Sequence, residues 1–153
     1  MNNRIRHGKE IMKILAYNHI MGIINNPVKS NLLKRIVYPA AFFSFICFII
    51  YQADTAHYNF AFRMVGKVPY GDKIGHIVLY GFMAFLLNYG LDGKKWFKFH
   101  IGSLLVLVFS VVEEMSQAYF PSRSFDYADI LASVTGIILF TYLFKFLRRE
   151  KRL

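Results

Sequence analysis

The sequence predicts an all-α fold: a bundle of four transmembrane helices, with a short amphipathic segment ahead of it and both termini on the cytoplasmic side. Three observations carry this. Four apolar stretches are each long enough to cross a bilayer, the basic residues concentrate in alternate connections, and the polar residues inside the stretches gather toward one end.

The stretches run from about Ile36 to Ala53, Ile74 to Leu91, Ile101 to Phe120 and Tyr127 to Leu147. Each holds roughly 18–21 residues, enough to cross a ~30 Å hydrocarbon layer at about 1.5 Å per residue. A helix at a protein–water boundary alternates polar and apolar residues with a 3.6-residue period. These four are apolar nearly all round. The first follows a long basic leader and precedes no A-x-A cleavage pattern, so it reads as a retained span rather than a signal peptide. Pro39 falls in its first turn, where a proline is tolerated.

Orientation follows from the 19 Lys and Arg. Seven precede the first span, three (Lys94, Lys95, Lys98) lie between spans two and three, and five end the chain; only Arg63, Lys67, Lys73 and Arg123 lie in the other two connections. By the positive-inside rule both termini are cytoplasmic. The net charge of +10 would suggest nucleic acid in a soluble chain, but this distribution marks topology signals and anionic-lipid contacts instead, with no nucleic-acid partner. Cys47 is the single cysteine, which excludes an internal disulfide framework and a cysteine-based metal site.

The chain thus divides into a basic N-terminal segment (1–33), a four-helix transmembrane domain (34–147) and a basic tail (148–153). In the first segment Ile14, Tyr17, Met21 and Ile24 recur at helical spacing, as in a helix lying on the membrane surface, and Asn25-Asn26-Pro27 should end it. The outer connection of about 54–73 carries Tyr58, Phe60 and Phe62, suited to an interface, then Pro69 and Gly71, suited to a turn. The link "DGKKWFKFH" is a short basic hairpin with Trp96 at headgroup level, and "PSRSFD" joins spans three and four outside. There is no internal repeat.

With this orientation the intramembrane polar residues fall at one level, near the outer face. Asp72 and His76 are four apart and share a helix face, which Tyr80 continues one turn deeper; Lys73 stands beside them. Span three carries Ser110, Glu113, Glu114 and Gln117 near its outer end, and Arg123 precedes Asp126, Asp129 and Ser133 on span four. Five carboxylates (Asp72, Glu113, Glu114, Asp126, Asp129) face two fixed cations, Lys73 and Arg123. Charges in hydrocarbon cost several kcal/mol each unless they pair or line a wet cavity, so the group should converge in a hydrated pocket. The excess of negative charge suggests a shared proton on a carboxylate or a bound cation.

These residues carry a resemblance. "DKIGH" followed by "EEMSQAYFPSRSFDYADILASVTG" is similar to the signature of the VanZ-like membrane protein family: D-K-x-x-H, then E-x-x-Q, then R-x-x-D-x-x-D with a small-residue tail. Matched position by position, it falls on Asp72, Lys73, His76, Glu114, Gln117, Arg123, Asp126, Asp129 and Gly136. Ser133 departs from the family's usual asparagine, keeping a hydrogen bond but losing the amide's paired donor and acceptor. The resemblance implies a multi-pass protein of the bacterial cytoplasmic membrane, with its site on the extracytoplasmic side, tied to glycopeptide (teicoplanin) resistance. It implies an envelope role, not a particular reaction.

Each residue also has a plainer reading. Asp126 suits a helix N-cap, Lys73 and Arg123 could snorkel to phosphates, and His76 could be a satisfied packing histidine. Glu113 and Glu114 resist such readings, because carboxylates a turn or more below the surface need partners. Glu114 fits the motif with Gln117, and Glu113 is left either facing the interface or sharing a proton. Ala128, Ala132 and Gly136 recur every four residues, a small-residue stripe for close helix packing.

Three functions of different classes follow. The first is a pocket for a lipid or lipid-linked envelope headgroup, formed by Asp72, Lys73, His76, Glu114, Gln117, Arg123, Asp126, Asp129 and Ser133. The second is a membrane hydrolase or transferase acting on such a headgroup, with Glu114 or Asp129 as general base, His76 as acid and Arg123 as electrostatic stabiliser. The third is a proton- or cation-coupled carrier, against which the inner halves of the spans look dry. No nucleophile elbow and no His-rich metal set is visible, so no cofactor is expected; the carboxylates and His76 could take a metal, but the nearby Lys73 and Arg123 weigh against it, and none is expected. The expected partners are membrane lipids or lipid-linked envelope precursors.

Overall fold

The computed structural model describes residues 12–18, 21, 27–55, 68–121 and 123–150. The connection carrying Tyr58, Phe60, Phe62, Arg63 and Lys67 lies outside them, as does Ile24. The chain forms two compact units, Met1–Ile36 and Val37–Leu153. In the first, residues 12–18 are helical, as the spacing of Ile14 and Tyr17 predicts.

The fold is all-helical apart from a minimal hairpin. In order come α1 (Pro27–Asp54), α2 (Gly71–Gly90), β1 (Lys95–Trp96), β2 (Phe99–His100), α3 (Ile101–Gln117) and α4 (Tyr127–Glu150). Among the described residues two stretches are long and apolar enough to cross a membrane, Ser30–Asp54 and Tyr127–Glu150. Neither is the packed centre of a soluble protein, since only 17% and 28% of their most apolar windows are buried. Phe45 and Phe48 on α1 and Leu131, Ile138 and Leu139 on α4 are all exposed. A contiguous apolar exterior of this kind needs an apolar solvent.

α1 differs from expectation at its start. Pro27 opens the helix, at a position where a missing N–H is no loss. The helix therefore begins about two and a half turns earlier than the apolar run, and Pro39 lies inside it rather than in its first turn. The interior proline leaves the carbonyl four residues back, at Arg35, without its usual donor.

α3 has 17 residues, about 25 Å at helical rise, and stops three residues before the apolar run does. Its last turn tightens through Tyr119 N–H to the Ser116 carbonyl and Phe120 N–H to the Gln117 carbonyl. That early stop lets the 118–126 link fold back over the end of the bundle. The buried residues of α3 (Gly102, Val106, Ser110, Glu113, Glu114, Gln117) form one stripe that passes from apolar to polar along the helix.

α2 and α4 make the closest contact of the bundle. A side chain at Gly136 would run into the backbone carbonyl of Ile77, and one at Gly81 would come within 2.8 Å of the Gly136 carbonyl. The small-residue stripe of α4 is thus a packing surface. Gly102 brings α3 against Asn88 of α2 in the same way. Ile46, Tyr80, Met83, Ala84, Val106 and Ile137 form the apolar core. α1 joins through large side chains: Phe42 meets Phe82 edge-on at 4.9 Å, and Phe43 meets Phe109 at 5.1 Å.

At one end, Val68–Tyr70 form the expected turn into α2, but the left-handed residue is Tyr70 (φ 58°), not Gly71. At the other, Asp92 and Gly93 are both left-handed, and Gly93 N–H closes α2 onto the Asn88 carbonyl at 2.7 Å. The basic link is a true β-hairpin, with Lys95 opposite His100 and Trp96 opposite Phe99. Next to it a second polar layer crosses the bundle: Asn88 Nδ2 donates to Ser103 Oγ (2.8 Å), which lies 2.7 Å from Thr141 Oγ1. The halves expected to be dry are therefore polar here, though without charge.

Candidate functional site

The polar residues of α2, α3 and α4 meet at the end opposite the hairpin. Lys73, in the first turn of α2, reaches across to the start of α4. Its Nζ lies 3.0 Å from Asp72 Oδ2, 2.8 Å from Asp126 Oδ2 and 3.0 Å from Asp129 Oδ1. It gathers carboxylates instead of snorkelling. These pairs stand ahead of the apolar part of α2, and they shift one another's proton affinity. Asp126 first, then Asp129 and Asp72, raise the Lys73 pKa above the usual lysine range. Lys73 in turn holds the carboxyls of Asp126 and Asp72 below theirs.

Asp126 does two jobs. Its Oδ1 accepts the Ala128 N–H at 2.8 Å, capping α4, while Oδ2 binds Lys73. The capping reading and the pairing reading are both correct, because the two oxygens are used separately. Asp72 sits at the rim with 59% of its side chain exposed.

Deeper in, α3 presents both glutamates inward. Gln117 Nε2 donates to Glu114 Oε2 at 2.8 Å and to Glu113 Oε1 at 3.1 Å. Glu113 is buried and does not face the interface: Tyr80 Oη donates to its Oε2 at 2.9 Å, and Arg123 Nη1 lies 3.2 Å from its Oε1. Arg123 also reaches Asp54 Oδ1 at 3.4 Å, tying the end of α1 to the cluster. The second oxygen of Glu114 accepts the Asp126 N–H at 2.8 Å.

Glu114 is the unusual member. It is 1% exposed, and its hydrogen bonds come from an amide side chain and a backbone N–H. No ion pair holds it among the described residues, whereas Glu113 and Asp129 each have one. A buried carboxylate satisfied only by neutral donors still carries the cost of an uncompensated charge. Ligand atoms of His76, Glu114 and Asp129 all lie within 4.8 Å of one another. These three could together hold a cation, although Lys73 already delivers positive charge to Asp129.

His76 completes the group. Its Nδ1 is 3.1 Å from Ser133 Oγ, and Ser133 donates to the Asp129 carbonyl at 2.9 Å. The imidazole and the Tyr80 ring stand side by side at 5.4 Å. All nine residues expected at the site are thus in one connected network. Spacing alone left Glu113 open and did not include Asp54 or assign Tyr80 a partner. The position of Asp54, an acidic residue closing the first apolar stretch at the same level, was the available signal.

A family profile, VanZ/LLP1, matches residues 9–148. The chain belongs to the VanZ/LLP1 family. Comparison with curated proteins and with solved structures gives no match. The VanZ/LLP1 assignment and the two apolar helices together make this a membrane protein.

Beside the VanZ/LLP1 cluster lies a cavity of about 320 Å³. Its floor is apolar, from Phe45, Phe48 and Ile49 of α1 together with Leu79 of α2. Its other wall is the polar edge of the cluster: Asp72, His76, Tyr80, Glu113 and Arg123. One concavity therefore offers both an apolar surface and convergent charged and hydrogen-bonding groups.

Proposed function

We propose that this VanZ/LLP1 protein binds a lipid or lipid-linked envelope headgroup in the cavity between α1 and α2. The amphipathic lining of that cavity carries the reading, since acyl and polyprenyl chains need an apolar wall and headgroups need charged partners. Arg123, on the cavity wall, suits a phosphate or carboxylate, and Asp72 and Glu113 beside it suit an ammonium or a hydroxyl donor; Lys73 and Glu114 stand behind them, Lys73 bound to Asp72 and Glu114 joined to Glu113 through Gln117. The proposed setting is a four-span protein of the bacterial cytoplasmic membrane with both termini inside, so that the cavity faces the outer leaflet. Basic residues in alternate connections support that orientation. Such a pocket fits a role in tolerance of teicoplanin, the resistance that the VanZ-like resemblance implies.

The test pairs a phenotype with protein level. Glu114→Gln removes one negative charge at nearly constant shape, and Asp129→Asn does the same on α4. Each variant should accumulate in the membrane like the parent, yet lose teicoplanin tolerance and the lipid that co-purifies with the parent in native mass spectrometry. Glu150→Gln, at the far end of α4, should change neither. Loss of protein in parallel with tolerance would show the carboxylates to be structural glue and end the proposal. Orientation is tested separately with single cysteines in a Cys47→Ser background: position 60 should react with an impermeant reagent from outside, and position 98 should not.

A second reading rests on the mutual approach of His76, Glu114 and Asp129. In it the same pocket is the active site of a hydrolase or transferase working on the bound headgroup, with a carboxylate as general base and His76 as the acid. Turnover of a co-purified lipid by the parent, abolished in His76→Gln while binding survives, would favour it over binding alone.

A further inference from the structure

A second cavity, of about 280 Å³, lies at the hairpin end, far from the carboxylate cluster in chemistry as well as place. It is walled by Lys95 and His100 of the hairpin and by Phe144, Lys145 and Arg149 of α4. No carboxylate lines it. Lys95, Lys145 and Arg149 make no ion pair among the described residues, while Arg148 is occupied with Asp92, donating to its backbone carbonyl and reaching its Oδ1 at 3.3 Å. Lys145 rests over the Tyr142 ring, 4.9 Å from its centre.

The decisive group is His100. It is 5% exposed, packs edge-on against Phe144 with ring centres 5.6 Å apart, and neither ring nitrogen has a hydrogen-bond partner among the described residues. Leaving such a group unsatisfied in the interior costs about 1–3 kcal/mol. Burial, then the charges of Lys95 and Lys145, hold its pKa below the usual histidine range, and the nearby Gly93 backbone opposes this. At neutral pH it is an uncharged ring with one N–H to give. A buried donor and three unpaired cations around one hollow are the parts of an anion site.

We infer that this cavity binds the phosphate of an anionic lipid, with Lys95, Lys145 and Arg149 neutralising the charge and His100 donating to an oxygen. A lipid source is favoured by the hairpin itself, whose Trp96, Phe97 and Phe99 are exposed beside the cavity as interfacial aromatics are. Two observations set this apart from general attraction of basic residues to anionic membranes: the convergence of Lys95, Lys145 and Arg149 on one hollow, and the buried, unsatisfied histidine in its wall.

Trp96 is the only tryptophan and lies next to Lys95, so its fluorescence reports on the site. The full chain, purified in neutral detergent micelles, is titrated with phosphatidylglycerol at low mole fraction and, separately, with phosphatidylcholine. The first should give a saturable change and the second none. Lys145→Gln with Arg149→Gln should weaken binding about tenfold or more for each cation removed. His100→Leu should weaken it too, and because its burial puts folding at risk, the half-buried Lys145 and exposed Arg149 carry the test alone if that variant fails to fold. Lys94→Gln with Lys98→Gln removes the same charge from exposed positions of the same link and should change little. Equal weakening by both double variants, or no saturation by phosphatidylglycerol, overturns the site. Inorganic phosphate should compete only at millimolar concentration; if it saturates the signal as tightly as the lipid does, the lipid assignment falls.

Discussion

Two polar layers cross this bundle, and they are built on opposite rules. In the neutral layer Asn88 gives Nδ2 to Ser103 Oγ and accepts the Ser103 N–H, Ser103 Oγ meets Thr141 Oγ1, and Thr141 returns to the Ile137 carbonyl. Every bond closes on the bundle itself and no charge is involved. In the charged layer six carboxylates (Asp54, Asp72, Glu113, Glu114, Asp126, Asp129) meet two cations, Lys73 and Arg123, and part of the network lines a cavity. The difference separates glue from site. A self-contained neutral network is explained by holding helices together, whereas a buried excess of one charge beside a hollow calls for something more.

The sharpest way to break this comparison is at Lys73. Lys73→Met strips three carboxylates of their shared cation and should lower stability by about 2–3 kcal/mol, below the figure for a fully buried pair because a quarter of the side chain is exposed. Unfolding in detergent, followed by circular dichroism, would show it; a silent variant would mean that solvent already screens the cluster. Next comes Gly136→Ala, which sets a methyl group against the Ile77 carbonyl and should cost about 1–3 kcal/mol by forcing α2 from α4. Because both layers depend on that approach, melting temperature and lipid retention should fall together.

Asn88→Ala should cost about 1–2 kcal/mol by leaving the Ser103 N–H without its acceptor and Ser103 Oγ without its donor, and should leave lipid retention unchanged. A loss of retention there would erase the distinction between the layers. The smallest effect is expected at the rim, where Asp72→Asn should cost less than about 1 kcal/mol. Acid should reveal the same pairs. Asp126 and Asp72 have carboxyls held below their ordinary value of 3.8, so their contribution is complete above that pH and is lost as pH falls through the lower folded values. Lys73→Met should flatten this acid limb.

Much of the charged layer was legible in the sequence because helical spacing and charge cost act together. Asp72 and His76 at four apart, and Glu114 and Gln117 at three, can hardly avoid sharing a face once the segments are helices. Glu113 was not decided, because consecutive residues on a helix are some 100° apart and only the curl of the 118–126 link brings Arg123 over it. The neutral layer was missed for a related reason. Asn88, Ser103 and Thr141 carry no charge and lie on three different helices, so no spacing rule joins them. Pro39 misled because the apolar run was taken as the start of α1, when Pro27 and the polar residues after it are equally helical.

Ser133 holds a consequence of its own. A hydroxyl has one hydrogen, and here it is given to the Asp129 carbonyl. With the hydroxyl hydrogen so used, the short contact to His76 Nδ1 is supplied from the ring, with the imidazole hydrogen on Nδ1 and the lone pair on Nε2; were the hydroxyl to turn to the ring instead, the tautomer would reverse. An amide at this position, with a donor and an acceptor to offer, would accept either tautomer. The serine's single hydrogen therefore sets the direction of the ring: while it stays on the Asp129 carbonyl, Nε2 is the nitrogen that can take up a proton or a cation, and the residue deciding this does not itself line the cavity.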